Sequence, residues 1–137
     1  MNAKPDPVTT TISQSVKRAR EALDRADTAE PATALPLLRE AQDHLTAAID
    51  EAMAAAVVVE GETLRSAGQL AGLSENAVGP RLARTSLLAA YQSDAGRVTA
   101  SGVERARYDV EQGRHLPAAA PDGTPAAPMR FRPRRST

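Results

Sequence analysis

The sequence predicts a mainly α-helical chain. It has an antiparallel helical hairpin over residues 10–59, a cluster of shorter helices over 60–116, and a disordered tail over 117–137. Apolar residues recur at alternating spacings of three and four through the first half, glycines and capping residues punctuate the middle, and five prolines fall in the last 21 residues. A length of 137 residues suits one small domain with attached elements.

Residues 1–9 contain Pro5 and Pro7 and are expected to form a disordered arm. From Thr10 the pattern turns helical: Ile12, Val16, Ala19, Leu23 and Ala26 trace one face. Asp27 to Glu30 breaks it. Thr33 is the expected cap of the next helix, with Pro36 in its first turn. Leu35, Leu38, Gln42, Leu45, Ile49, Ala52 and Ala56 then continue the alternation, with Gln42 the one polar member. A helix reaching Val59 would be on the order of 40 Å long at 1.5 Å per residue, too long for the small region after it to cover. The expectation is that this stripe packs on that of the first helix, and that two hairpins pair as a homodimer through a four-helix interface, the alternative being a hairpin packed within one chain. Glu60-Gly61-Glu62 ends the hairpin.

Composition removes several function classes. With no cysteine there is no disulfide, thiolate metal site or thiol nucleophile. Seventeen basic residues balance 17 acidic ones, so a nucleic-acid site would be a local patch rather than a basic coat. The tail 117–137 carries a net +3, from Arg130, Arg132, Arg134 and Arg135 against Asp122. That makes it a phosphate-attracting extension or simply a solubilising end. Only Tyr91, Tyr108 and Phe131 are aromatic, too few for a surface that stacks single-stranded bases. The longest apolar run, Ala52 to Val59, is far too short to span a membrane, and no signal-peptide layout opens the chain. A cytoplasmic protein is expected, and 15 arginines and 28 alanines against two lysines suit a GC-rich bacterial source. His44 and His115 stand apart from any metal-ligand spacing, and no P-loop, G-x-S-x-G or dinucleotide fingerprint occurs. Asp43, Asp50 and Glu51 read as the wet side of a helix. The chain is therefore read as a non-enzyme without a cofactor or metal.

The stretch Ser66 to Arg84, SAGQLAGLSENAVGPRLAR, is the most informative. Gly68 stands where two helices would cross closely, and Gly72 where the chain would turn through a left-handed conformation. Leu73 follows as a buried turn residue, and Ser74 as the cap whose oxygen would accept from free amides. Val78 and Leu82 form the inward face of a second helix, with Ala67, Leu70 and Ala71 on the inner side of the first. Pro80 is discordant, because it removes an amide and disfavours helical geometry at Gly79. A helix kinked at Gly79, or one restarted at Pro80, is expected.

The spacing Gly72-Leu73-Ser74…Val78 resembles the helix-turn-helix of bacterial transcription regulators and of the promoter-reading region of sigma factors, over about 25 residues. Beyond it, Asp94-Ala95-Gly96 signals a turn and Arg97-Val98-Thr99 is β-prone, with Leu87 to Tyr91 either pairing with it or continuing as helix. Ser101 and Glu104 have the spacing of a capping box for a closing helix ending near Gly113. GRVTASG resembles the end of a wing, where a T-x-x-G step (here Thr99 and Gly102) leads into that helix. Together these resemble a winged helix-turn-helix regulator of the multiple-antibiotic-resistance type with a shortened wing, over residues 60–113.

The resemblance implies sequence-specific binding of double-stranded DNA and a role in transcription regulation. Ser74, Glu75 and Asn76 would meet base edges, and asparagine and glutamate have the donor and acceptor geometry for adenine and cytosine. Arg81 and Arg84 would hold phosphates or a guanine, Arg65 and Gln69 the backbone, and Arg97 a phosphate or the minor groove from the wing. The rival reading is a helical protein-interaction module that uses the same bend as a scaffold.

Overall fold

The computed structural model describes residues 7–117, and the protein is mainly α-helical. Five α-helices and one 3-10 turn follow in order: α1 Pro7–Asp27, α2 Pro31–Val58, α3 Leu64–Ala71, α4 Glu75–Leu82, the 3-10 turn Ala89–Tyr91 and α5 Ala100–Glu111. No strand occurs among the described residues. The tail from residue 118 and the arm up to residue 6 lie outside them. Residues 7–9, expected to be part of that arm, are already helical.

α1 and α2 form the antiparallel hairpin, closed by the short turn at Thr28–Glu30. Pro31 opens α2 at a position where a missing amide costs nothing, so the helix starts earlier than Thr33. Pro36 is accommodated inside it. What the two helices bury against each other is alanine: Ala19, Ala22 and Ala26 on α1, Ala41 and Ala48 on α2. The stripe expected to face α1 lies elsewhere. Leu35, Leu38 and Leu45 keep 68%, 46% and 51% of their surface in water, and Gln42 is exposed. α2 has two apolar flanks, and α1 took the one built of smaller residues, which permits closer approach of the backbones.

The larger core surrounds the last third of α2. Met53, Ala54, Val57 and Val58 contact Ala67 from α3, Val78 and Leu82 from α4, Leu87, Leu88 and Tyr91 around the 3-10 turn, Val98, and Val103 and Ala106 from α5. Arg107 ties this assembly together. Its Nε donates to the Val57 carbonyl at 2.6 Å, an acceptor left over at the end of α2, and Nη2 to the Glu62 carbonyl at 2.8 Å in the linker to α3.

Candidate functional site

α3 begins with a capping box. The Thr63 hydroxyl accepts from Ser66 N at 3.0 Å, and Ser66 Oγ accepts from Thr63 N at 2.9 Å. It ends at Gly72, whose φ of 72° is left-handed. There Leu73 N donates to the Gly68 carbonyl at 2.8 Å and Gly72 N to that of Gln69 at 3.2 Å, the pair of bonds that defines a Schellman stop. Gly68 is the crossing point: a Cβ there would meet Val78 Cγ2 at 2.7 Å. Val78 and Leu82 are buried, as the spacing predicts. Leu70 is not, and remains 78% exposed.

Ser74 occupies the N-cap position of α4, but its side chain makes no cap hydrogen bond, contrary to expectation. α4 then runs unbroken from Glu75 to Leu82 through Gly79-Pro80, so the helix does not restart at Pro80. Glycine lacks the Cβ that would collide with the following proline ring, which removes part of the objection. Pro80 forfeits a single bond near the helix end, on the exposed side. Gly79 also has a second duty. Its carbonyl accepts from Val98 N at 3.0 Å, and an added Cβ would lie 3.0 Å from Val98 O and 3.2 Å from Arg97 Nε. Residues 97–98 thus dock directly on the middle of α4.

The expected wing takes another form. Leu87 to Tyr91 is a turn and a 3-10 turn, and residues 93–97 close through Ser93 N to the Arg97 carbonyl at 2.8 Å without forming a strand. The T-x-x-G step does lead into α5: Thr99 is the N-cap residue, and Gly102 packs where a Cβ would sit 2.5 Å from the Tyr91 carbonyl oxygen. Ser101 and Glu104 lie inside that helix, so their capping box does not form.

Two buried carboxylates hold α4 and its exit against α2. Asp50 and Glu51, expected on the wet face, are both buried, whereas Asp43 is exposed and pairs with Arg39. Arg81 Nε donates to Asp50 Oδ1 at 2.6 Å, and Glu51 accepts from Ser86 N at 2.9 Å and Ser86 Oγ at 2.7 Å. The Arg81 side chain is only 20% exposed. The sequence expects this residue at DNA; in the fold its guanidinium is engaged by a buried carboxylate of α2.

The other expected contact residues are at the surface. Ser74, Glu75 and Asn76 are exposed at the start of α4, with Gln69 exposed on α3. Arg65 lies beside that start, 4.0 Å from Glu75. Arg97 lies against the middle, and Arg84, two residues beyond the end, keeps a 70% exposed side chain with Nη2 4.0 Å from Asp50. Three cations are thus spread along a helix about 12 Å long, from eight residues at 1.5 Å each.

At the far side, Tyr91 donates from its hydroxyl to Asp109 Oδ2 at 2.8 Å and accepts from Leu116 N at 2.9 Å. His115 is not isolated: its ring packs 5.3 Å from that of Tyr91, and Nε2 bonds the Leu87 carbonyl at 2.6 Å. Burial, reinforced by the Asp109 carboxylate, pushes the Tyr91 phenol above its ordinary value, although the Leu116 amide opposes this. The roles of Asp50, Glu51, Arg107 and Gly79 were all missed in the sequence, because each is set by a partner distant along the chain. Among the described residues no His, Asp and Glu cluster could hold a metal ion, and no helix is long and apolar enough to cross a membrane. Compared with known proteins, the chain matches no family, and no curated protein or solved structure is similar to it.

Proposed function

We propose that the chain binds double-stranded DNA with α3–turn–α4 as a helix-turn-helix, α4 entering the major groove, as a regulator of transcription would. The observation that carries this reading is the exposed start of α4, held away from α3 by the Gly72 stop and the close Gly68–Val78 crossing. Asn76 offers bidentate recognition of adenine, with Ser74 and Glu75 beside it. Arg84, Arg97 and Arg65 serve the phosphates, and Gln69 the backbone next to the first helix. The spread of these cations is comparable to the roughly 12 Å width of the major groove. Residues 92–98 stand in for the wing.

The test is binding to duplexes recovered by selection from random sequence, followed by fluorescence anisotropy across salt concentrations. Arg84→Ala with Arg97→Ala is expected to weaken binding at least about tenfold and to reduce the salt slope by roughly one unit per lost phosphate contact. Asn76→Ala should relax base preference and leave the slope unchanged. Arg39→Ala on the hairpin should alter neither. Wild-type protein without salt-sensitive duplex binding overturns the reading and leaves the protein-interaction module in its place. The exposed leucines of α2 favour that alternative independently.

A further inference from the structure

We propose that two copies of this chain pair through α2 in an antiparallel, two-fold arrangement centred on Leu45, with Leu35 and Leu38 of each copy seated in an alanine-lined groove of the other.

The stripe Leu35, Leu38, Gln42, Leu45, Ile49, Ala52, Ala56 keeps a strict alternation of three and four, which holds residues on one helical flank. None of its members is fully buried, although Ile49 packs partly against the core. It is about 31 Å long and a helix is about 10 Å wide, so its flat footprint is on the order of 300 Å² per copy. An apolar patch of that size matches the largest found on a typical monomer, which is often functional. Leu23, 48% exposed on the neighbouring flank of α1, borders Leu38 and widens it.

The occupant follows from how residue size changes along the stripe. Its first half carries leucines and its end carries alanines. Beside the alanine end lies an open groove of about 400 Å³ between α2 and α3, lined mainly by Ala52, Ala56, Ala67 and Ala71 together with Ile49 and Met53, with Leu70 and Glu60 also along it. A helix that is large at one end and small at the other is complementary to itself only when reversed. Reversal about Leu45 sets Leu38 against Ala52 and Leu35 beside Ala55 and Ala56 of a second copy, twice over, as an isologous interface requires. A parallel pair would set leucine on leucine and leave both grooves empty. The formal net charge of zero removes the general repulsion that would oppose a pair of identical chains. The proposal is independent of DNA binding.

The absence of cysteine makes the register directly testable. Sedimentation of the full chain is expected to show a dimer at micromolar concentration. A Leu45→Cys variant should oxidise to a covalent dimer faster than Gln42→Cys, which a register shifted by one heptad would favour instead. Equimolar Leu35→Cys and Ala56→Cys variants should form the mixed disulfide in preference to either homodimer. Leu38→Asp should raise the self-dissociation constant about a hundredfold or more while keeping the helical circular dichroism of the parent, because that side chain makes no core contact within one chain. A chain monomeric at all concentrations, or one cross-linking through Gln42 rather than Leu45, overturns the proposal.

Discussion

The two halves of this molecule use apolar residues in opposite ways. In the outer hairpin, alanines are inside and leucines outside, so that α1 and α2 pack closely over a thin seam. Around the last third of α2 the order is reversed. Leu82, Leu88, Val57, Val78 and Val98 are fully buried, and glycines at 68, 79 and 102 are what let the elements approach one another. The contrast teaches where specificity resides. A seam of alanines tolerates sliding because each position resembles the next, whereas a core of larger side chains against glycine backbones admits one arrangement. The half that carries the exposed start of α4 is therefore the more closely packed half, which suits a surface that must present fixed side chains.

The largest difference should come from Gly102→Ala. The methyl would meet the Tyr91 carbonyl, a backbone atom that cannot rotate away. A loss of about 3 kcal/mol is expected, the upper part of the range for overpacking. Denaturant unfolding monitored by tyrosine fluorescence checks it, and a loss below 1 kcal/mol would show that the 3-10 turn is looser than its packing implies. Arg81→Ala ranks next. It leaves Asp50 buried with only the more distant Arg84 nearby, at a cost of about 2 kcal/mol. An Arg84→Ala variant should lose far less, since that side chain is mostly in water. If the two variants are equally stable, Arg81 is not the buried partner and its place at a DNA surface returns.

Ala41→Leu tests the thin seam. The added atoms force α1 away from α2 at a cost of about 1.5 kcal/mol. The damage should be confined: amides of α1 should exchange faster with solvent while those of α4 and α5 keep their protection. Equal acceleration in both halves would mean that the chain has one cooperative core, and the contrast drawn above would fail.

Much of this was legible beforehand, for a physical reason. Helical periodicity is a local property, so the hairpin and its extent could be read within a few residues. The Gly68 crossing, the Gly72 stop and the Thr99–Gly102 step are also short-range, because each depends on backbone shape within about ten residues. What could not be read was which of two apolar flanks of α2 would receive α1, since periodicity groups residues on a face without saying what covers it. Asp50 and Glu51 looked like solvated acids because their partners, Arg81 and Ser86, are 31 and 35 positions away. Pro80 looked disruptive because the docking of Val98 on the Gly79 carbonyl, which fixes this part of α4, comes from a residue distant along the chain. In the candidate site, exposure of Asn76 followed from the spacing, while the inward turn of Arg81 required its carboxylate partner to be known.

The smallest effect concerns pH and reports on the larger core alone, since neither Tyr91 nor Tyr108 is in the hairpin. Burial holds the Tyr91 phenol above its ordinary value, so the folded state retains this proton more tightly than the unfolded chain. The resulting stabilisation is fully present below about pH 10, the ordinary tyrosine value, and is lost as pH rises through the higher folded value. Ionisation would place a phenolate against the Asp109 carboxylate that now accepts its hydrogen bond. Tyr91→Phe should cost about 1 kcal/mol at neutral pH, because Asp109 and the Leu116 amide each lose a partner, and should make stability flatter above pH 10 than in the parent. Ultraviolet titration of the phenols, with denaturant midpoints on either side of pH 10, measures both effects. Identical alkaline slopes in parent and variant would mean that water reaches the Tyr91 hydroxyl freely, and that the segment carrying His115 and Leu116 is not closed over the ring.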